Sequence, residues 1–255
     1  MTITGGSTPN GDYDRPVVLI STVRLKGIRL INDATQAIEL PGASLFELED
    51  LLAKHHREPH SIIGSSCIGA SIIGGICNNS GGALIHRGPA YTELALYAKL
   101  HEDGVLRLHN ELDIELGDSP ETILHNLETQ NYSENQPITN KLASDKEYSQ
   151  RVRQVDEPTP SRFNNDGRRL HGAAGSAGRL IVFAVRVDTF EKPEHEQVLY
   201  IGTNDTNHLT DIRRHILQNF EDLPVSGEYI VESLIIQSIQ SRYKEQLVVE
   251  LSKTN

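Results

Sequence analysis

Six glycines fall within the nineteen residues Gly64–Gly82 (Gly64, Gly69, Gly74, Gly75, Gly81 and Gly82), and no other feature of the chain restricts its fold as strongly. Glycine lacks a Cβ and loses more backbone entropy on folding than any other residue, so such a density needs a cause. Small polar residues (Ser65, Ser66, Ser71, Asn78, Asn79, Ser80) and two apolar pairs, Ile62-Ile63 and Ile72-Ile73, interleave with the glycines. Backbone that must approach a phosphate uses this pattern. Successive N–H groups turn toward one anion, and a short helix starting there adds its positive end. Tight turns without a ligand would account for one glycine pair. The density of this segment, together with Gly5-Gly6-Ser7 upstream, favours a bound phosphate. The segment has no Gly-Lys-Ser/Thr, which excludes a Walker loop. It also lacks a Gly-x-Gly-x-x-Gly between strand and helix with an acid about twenty residues on, the fingerprint of a dinucleotide fold.

Composition narrows the function classes. The 255 residues carry a formal net charge of -11, with no dense Lys/Arg run. That balance argues against nucleic acid and against this chain gripping an anionic membrane. Hydrophobic content is 37% and mean hydropathy -0.37, so part of the chain is expected to be loop-like. Cys67 and Cys77 read as reduced thiols, since no second Cys/His pair completes a metal site. The eleven histidines show no ligand spacing even where His55, His56 and His60 cluster, and no metal is expected. Met1-Thr2-Ile3-Thr4 lacks the basic start and apolar run of a signal peptide, and no stretch reaches the length of a membrane span. The expected location is cytoplasmic.

Periodicity gives a mixed α+β chain. Val17–Ser21, Val23–Ile31, Ala37–Leu40 and Ser61–Ile63 read as strands. Ser44 with Glu47 forms a capping box ahead of a stripe of Leu45, Leu48, Leu51 and Leu52. Glu93–Leu100 and Val105–His109 flank Glu102-Asp103-Gly104 as a hairpin. Ser119-Pro120 starts a helix running to about Glu128. Only nine of the 41 residues 130–170 are apolar, which predicts a polar surface excursion with little regular structure. Arg179–Thr189 and Val198–Thr203 read as strands. Leu209–Phe220 reads as a helix with Leu209, Ile212, Ile216, Leu217 and Phe220 inward, and Val231–Tyr243 as a further helix.

The strings Arg57–Ser71 and Gly74–Gly82 resemble the respiratory, quinone-dependent D-lactate dehydrogenases of bacteria. Those enzymes belong to the vanillyl-alcohol-oxidase-like family, with a PCMH-type FAD-binding domain. The likeness extends through Gly6–Gly11, Arg87–Glu93, Val182–Arg186 and Ile212–Leu217, and so covers the chain to about Tyr229. The resemblance implies an α+β fold, with a PCMH-type FAD-binding domain, incomplete, over residues 1–190 and the first strand–helix unit of an α+β substrate or cap domain over 191–255. It implies non-covalently bound FAD, contacted by Gly6 and Ser7 in a first pyrophosphate loop, by Gly64, Ser71 and Gly81 in a second, and by the backbone of Val182. The implied reaction is oxidation of D-lactate or a similar 2-hydroxy acid to the keto acid, pyruvate in the case of D-lactate, with electrons passed to quinone. The protein's share is to orient and tune the flavin. Full-length relatives are peripheral on the cytoplasmic face of the inner membrane, through a region expected to lie outside this chain.

Against that family pattern the chain starts inside the first pyrophosphate loop and stops early in the cap. Most substrate-binding residues are therefore expected elsewhere, and no catalytic base is assigned. A catalytically inactive FAD-domain remnant and a related flavin 2-hydroxy-acid oxidase are the alternatives. His86 and Arg87 read as structural before phosphate- or substrate-binding, Tyr91 as packing before a flavin wall, and Arg213-Arg214 as a solvated helix face.

Overall fold

The computed structural model describes residues 2–4, 16, 19–60, 70–80, 84–158 and 166–229. The architecture is α+β. Two short strands, β1 (Thr2–Thr4) and β2 (Leu19–Ser21), pair in parallel. The main body is a five-stranded antiparallel sheet of β3 (Ile28–Ile31), β4 (Gln36–Glu39), β8 (Ile181–Asp188), β6 (Ala95–Leu100) and β7 (Leu106–Asn110), in that spatial order. β5 (Arg57–Glu58) pairs antiparallel with β9 (Phe190–Glu191) beside it.

Both faces of the sheet are covered, which explains the continuous apolar run of β8. One face buries Ala37, Ala95, Tyr97, Val182, Val185 and Val187 under α1 (Leu45–Ala53) and α2 (Ile72–Cys77). The other buries Ile31, Ile38, Leu96 and Ala184 under α3 (Pro120–Glu128) and the segment Leu112–Leu116. Val182 and Ala184, two apart, face opposite sides because the ladder shifts there: Leu96 pairs with Ala184 but Tyr97 with Val182. A bulge inserts one residue and reverses the alternation.

The caps form as the residues dictate. Ser44 and Glu47 make the reciprocal capping box of α1, and Ser119 accepts the Thr122 N–H at the start of α3. The β6–β7 hairpin turns at Gly104, with φ +76°. Pro41–Gly42 does more than end a strand. A Cβ on Gly42 would lie 2.5 Å from the Thr22 carbonyl oxygen and 2.9 Å from that of Val23. This close approach converts most of the expected strand Val23–Ile31 into a turn, and only Ile28–Ile31 pairs with β4.

Residues 130–158 and 166–170 are polar and tied down by side-chain pairs. They include α4 (Tyr148–Arg151) and a 3-10 turn at Gly167–Arg169. Arg151 grips Asp145 at 2.9 and 3.0 Å and also pairs with Asp166, while Arg169 reaches Glu147 at 2.6 Å. The Arg151 pairs with Asp145 and Asp166 are buried, whereas Glu147 is exposed, and regular structure in the segment is as sparse as its composition predicts.

Two expectations near the C-terminal end are corrected. Val198–Thr203 forms no strand: no described strand pairs with it, and Val198, Leu199, Tyr200 and Ile201 are exposed. The helix α5 (Thr206–Asn219) is present, but of its inward set only Leu217 is buried, and Phe220 is exposed. α5, through Leu217, and the turn after it, through Leu223, dock onto Tyr148, Val152 and Val155. Arg153 caps the helix end by donating to the carbonyls of Phe220 (2.7 Å) and Glu221 (2.8 Å). On the outer face of α5 Arg213 is exposed, as expected, and the half-buried Arg214 pairs with the exposed Asp156. The expected Ser61–Ile63 strand and Val231–Tyr243 helix lie outside the described residues.

The contact of Gly42 with backbone oxygens that cannot rotate away gives a direct test. Gly42→Ala is expected to destabilise the chain by about 1–3 kcal/mol, read as a lowered thermal unfolding midpoint.

Candidate functional site

Helix α2 is the described part of the Gly-rich segment, and its ends are fully furnished. At its start the Ser71 hydroxyl oxygen accepts the Gly74 N–H at 3.1 Å. The hydroxyl keeps its own proton for a second partner. Ser71 is held by a bridge to Ser44 and by the Leu45 N–H donating to the Ala70 carbonyl at 2.9 Å, so the N-terminus of α2 is tied to that of α1. At the other end Asn79 takes a left-handed φ of 51°. Its N–H donates to Ile76 at 3.0 Å, and the Ser80 N–H reaches back to Gly75 at 2.8 Å. That is a Schellman stop with Asn in the left-handed position, which gives Asn79 a structural role.

Ile72, Ile73 and Ile76 anchor α2 on the cluster that also holds Val182, itself 4% exposed. The structure thus packs the helix that Ser71 caps against the cluster that holds Val182. Gly6, Ser7, Gly64 and Gly81 lie outside the described residues, as does Cys67. Gly75 is in the helix interior, and a Cβ there would meet only the Ala90 Cβ, at an ordinary 3.9 Å. Neither packing nor φ requires glycine at this position.

The residues 171–178 were not singled out by the sequence reading, although Gly172, Gly175 and Gly178 recur every third position. This loop closes over the C-terminal end of α2: the Gly175 N–H donates to Ile76 at 3.0 Å and the Ala177 N–H to Cys77 at 2.9 Å. Gly172, Gly175, Ala177 and Gly178 all have positive φ, while Ala173 and Ala174 are buried in the core. Cys77 is a free thiol whose pKa is pushed up by burial, with Ser176 opposing.

The other candidates resolve toward structure. Arg87 is buried, paired with Glu58, donates to the Pro59 carbonyl at 2.7 Å, and lies over the Phe190 ring. His60 beside it is buried, and burial first, then Arg87, brings its pKa down to about 4, so it is neutral at pH 7. His86 donates to the Leu223 carbonyl at 2.8 Å. Tyr91 is buried, donates to Glu93 at 2.8 Å and lies under Arg169. Among the described residues no group of three or more His, Cys, Asp or Glu could hold a metal, and no helix is long and apolar enough to cross a membrane.

Comparison with known proteins points to one class, oxidoreductases acting on D-lactate. The chain is 59% identical over 231 residues to the quinone-dependent D-lactate dehydrogenase of Haemophilus influenzae, covering 89% of this chain and 41% of that protein. It is 51% identical over 253 residues to the enzyme of the same name in Escherichia coli, covering 98% of this chain and 44% of the relative. A third relative, from Corynebacterium glutamicum, is 49% identical over 233 residues, 91% of this chain and 41% of that protein. Residues 198–254 match the family model described as D-lactate dehydrogenase, membrane binding. Over nearly its whole length the chain is thus similar to one part of the quinone-dependent D-lactate dehydrogenases. It spans less than half the length of the curated relatives it matches.

Removing one partner of the buried Arg87–Glu58 pair strands a charge. Arg87→Met is expected to cost about 3–5 kcal/mol, and the double variant Arg87→Met/Glu58→Leu much less. A double-mutant cycle by chemical denaturation measures both.

Proposed function

We propose that this chain provides the flavin-binding part of an FAD-dependent oxidoreductase that converts D-lactate to pyruvate and passes the electrons to quinone. The observation that carries the reading is identity of 49–59% to quinone-dependent D-lactate dehydrogenases over 89–98% of the chain. In this reading residues 1–190 form a PCMH-type FAD-binding domain, and 191–255 begin a second, substrate-side unit. The description membrane binding attaches to 198–254. Peripheral membrane contact on the cytoplasmic face is therefore assigned to that stretch, in place of the expectation that this chain makes none.

The residues present fit a dinucleotide pyrophosphate. Ser71 has its oxygen committed to the helix start, and among the described residues its proton has no acceptor. Gly75 costs helix stability by roughly 0.5–1 kcal/mol relative to Ala without a packing reason, as expected where a ligand needs bare backbone. Gly6, Ser7, Gly64 and Gly81 would supply further donors, and Val182 its backbone. FAD, when bound, accepts the two electrons of the 2-hydroxy acid and gives them up to quinone. The protein's part is to hold and orient it.

Titration of the purified chain with FAD, followed by flavin fluorescence quenching, tests the reading. Saturable binding is expected. Ser71→Ala should weaken it roughly tenfold through one lost hydrogen bond. Gly75→Ala should weaken it too, while leaving thermal stability unchanged or raised. Absence of saturable binding, or indifference to both substitutions, would sink the proposal for this chain. D-lactate-driven reduction of a soluble quinone tests the activity.

A further inference from the structure

Glu39 ends β4 inside the core. Side chains alternate along a strand, so Glu39 points to the same side as Ala37, the side covered by α1 and α2. Its cross-strand neighbours are Ile28 on β3 and Val185 on β8, both packed in that apolar cluster. The residue is 0% exposed, and neither carboxyl oxygen has a hydrogen-bond partner. An isolated carboxylate in such surroundings would cost several kcal/mol, whereas the neutral acid costs far less.

The charges on the elements packed around it are engaged elsewhere. On β3, Arg29 donates to the Gln130 carbonyl and lies over Tyr132. On β8, Arg186 holds Gln36 and Asp188 accepts from Gln36 and Ser144. On α1, Glu47 is taken by Ser44 and Lys26, Asp50 is exposed, and Glu49 is a second acid with its own contacts. Among the described residues no cation is paired with Glu39.

We propose that Glu39 is a proton-locked residue: its carboxyl is neutral in the folded sheet, and closing β4 between β3 and β8 takes up one proton from solution. Burial supports this, holding the carboxyl well above the usual carboxylate range. The sign follows directly. For an acid whose folded pKa is raised, the associated stability is complete below the unfolded value, near the ordinary 4.5. It is lost as pH rises toward the folded value. Rising pH therefore loosens the sheet at β4, and a neutral replacement removes this response.

The test is chemical unfolding of the full chain from pH 5 to 8.5, wild type against Glu39→Gln and Glu39→Leu. The wild-type folding equilibrium constant should fall relative to both variants as pH rises above 5, by about tenfold per pH unit until the folded carboxyl itself ionises, and the difference should level off toward pH 4.5. A difference that is constant with pH overturns the proposal. Infrared difference spectra give an independent reading that needs only one folded variant. A protonated-carboxyl C=O stretch present in the wild type at pH 7 and missing from the variant supports the lock, and its absence from the wild type refutes it.

Discussion

A guanidinium placed in the middle of a sheet must be surrounded by oxygen, and Arg186 imposes that demand on everything near it. It is 0% exposed on the central strand β8, and burial pulls its pKa down against the opposing pull of Asp113 and Asp188. Its partners are Gln36 at 2.7 and 2.9 Å, the Leu112 carbonyl at 3.3 Å and the Pro137 carbonyl at 3.0 Å. These come from β4, from the chain leaving the β6–β7 hairpin, and from the polar excursion. One residue thus fastens three sequence-distant segments to the strand that also carries Val182. The cost of leaving any of those donors unpaired in the core is what fixes their positions.

The same logic explains the turn Asn32–Ala34, three successive residues with left-handed φ of 54°, 53° and 61°. Ala has no intrinsic reason to sit there. The turn is clamped by the Asn32 N–H donating to Glu134, by Gln136 donating to the Asn32 side chain, and by Thr189 donating to the Ala34 carbonyl. The excursion is thus a brace for the sheet, and its low apolar content reflects the oxygens and charges that bracing requires.

Much of the fold was legible because local chemistry decides it. Ser44 with Glu47, Ser119 with Pro120, and Asp103-Gly104 announce their structures within four residues. What escaped the sequence depends on partners far along the chain. Val23–Ile31 has strand composition, but the approach of Gly42 bends its first half away. Val198–Thr203 has the composition of a strand and finds no described edge to join. At the candidate site, a short helix start could be read from the glycine density, whereas Ser71 is singled out only by the family resemblance. The loop 171–178 could not be read, since its role depends on two N–H groups reaching α2 across about a hundred residues.

That loop has a kinetic consequence. The last carbonyls of α2 are satisfied partly by Gly175 and Ala177, so a six-residue helix, too short to persist alone, is completed only when residues beyond the excursion arrive. Closing so long a loop carries a large entropic barrier, and contacts of high sequence separation form late. The helix that begins at Ser71 and the main sheet therefore wait on the same event, because β8, which joins β4 to β6, follows this loop directly in the chain. A nascent chain would hold neither until the residues beyond the excursion arrive.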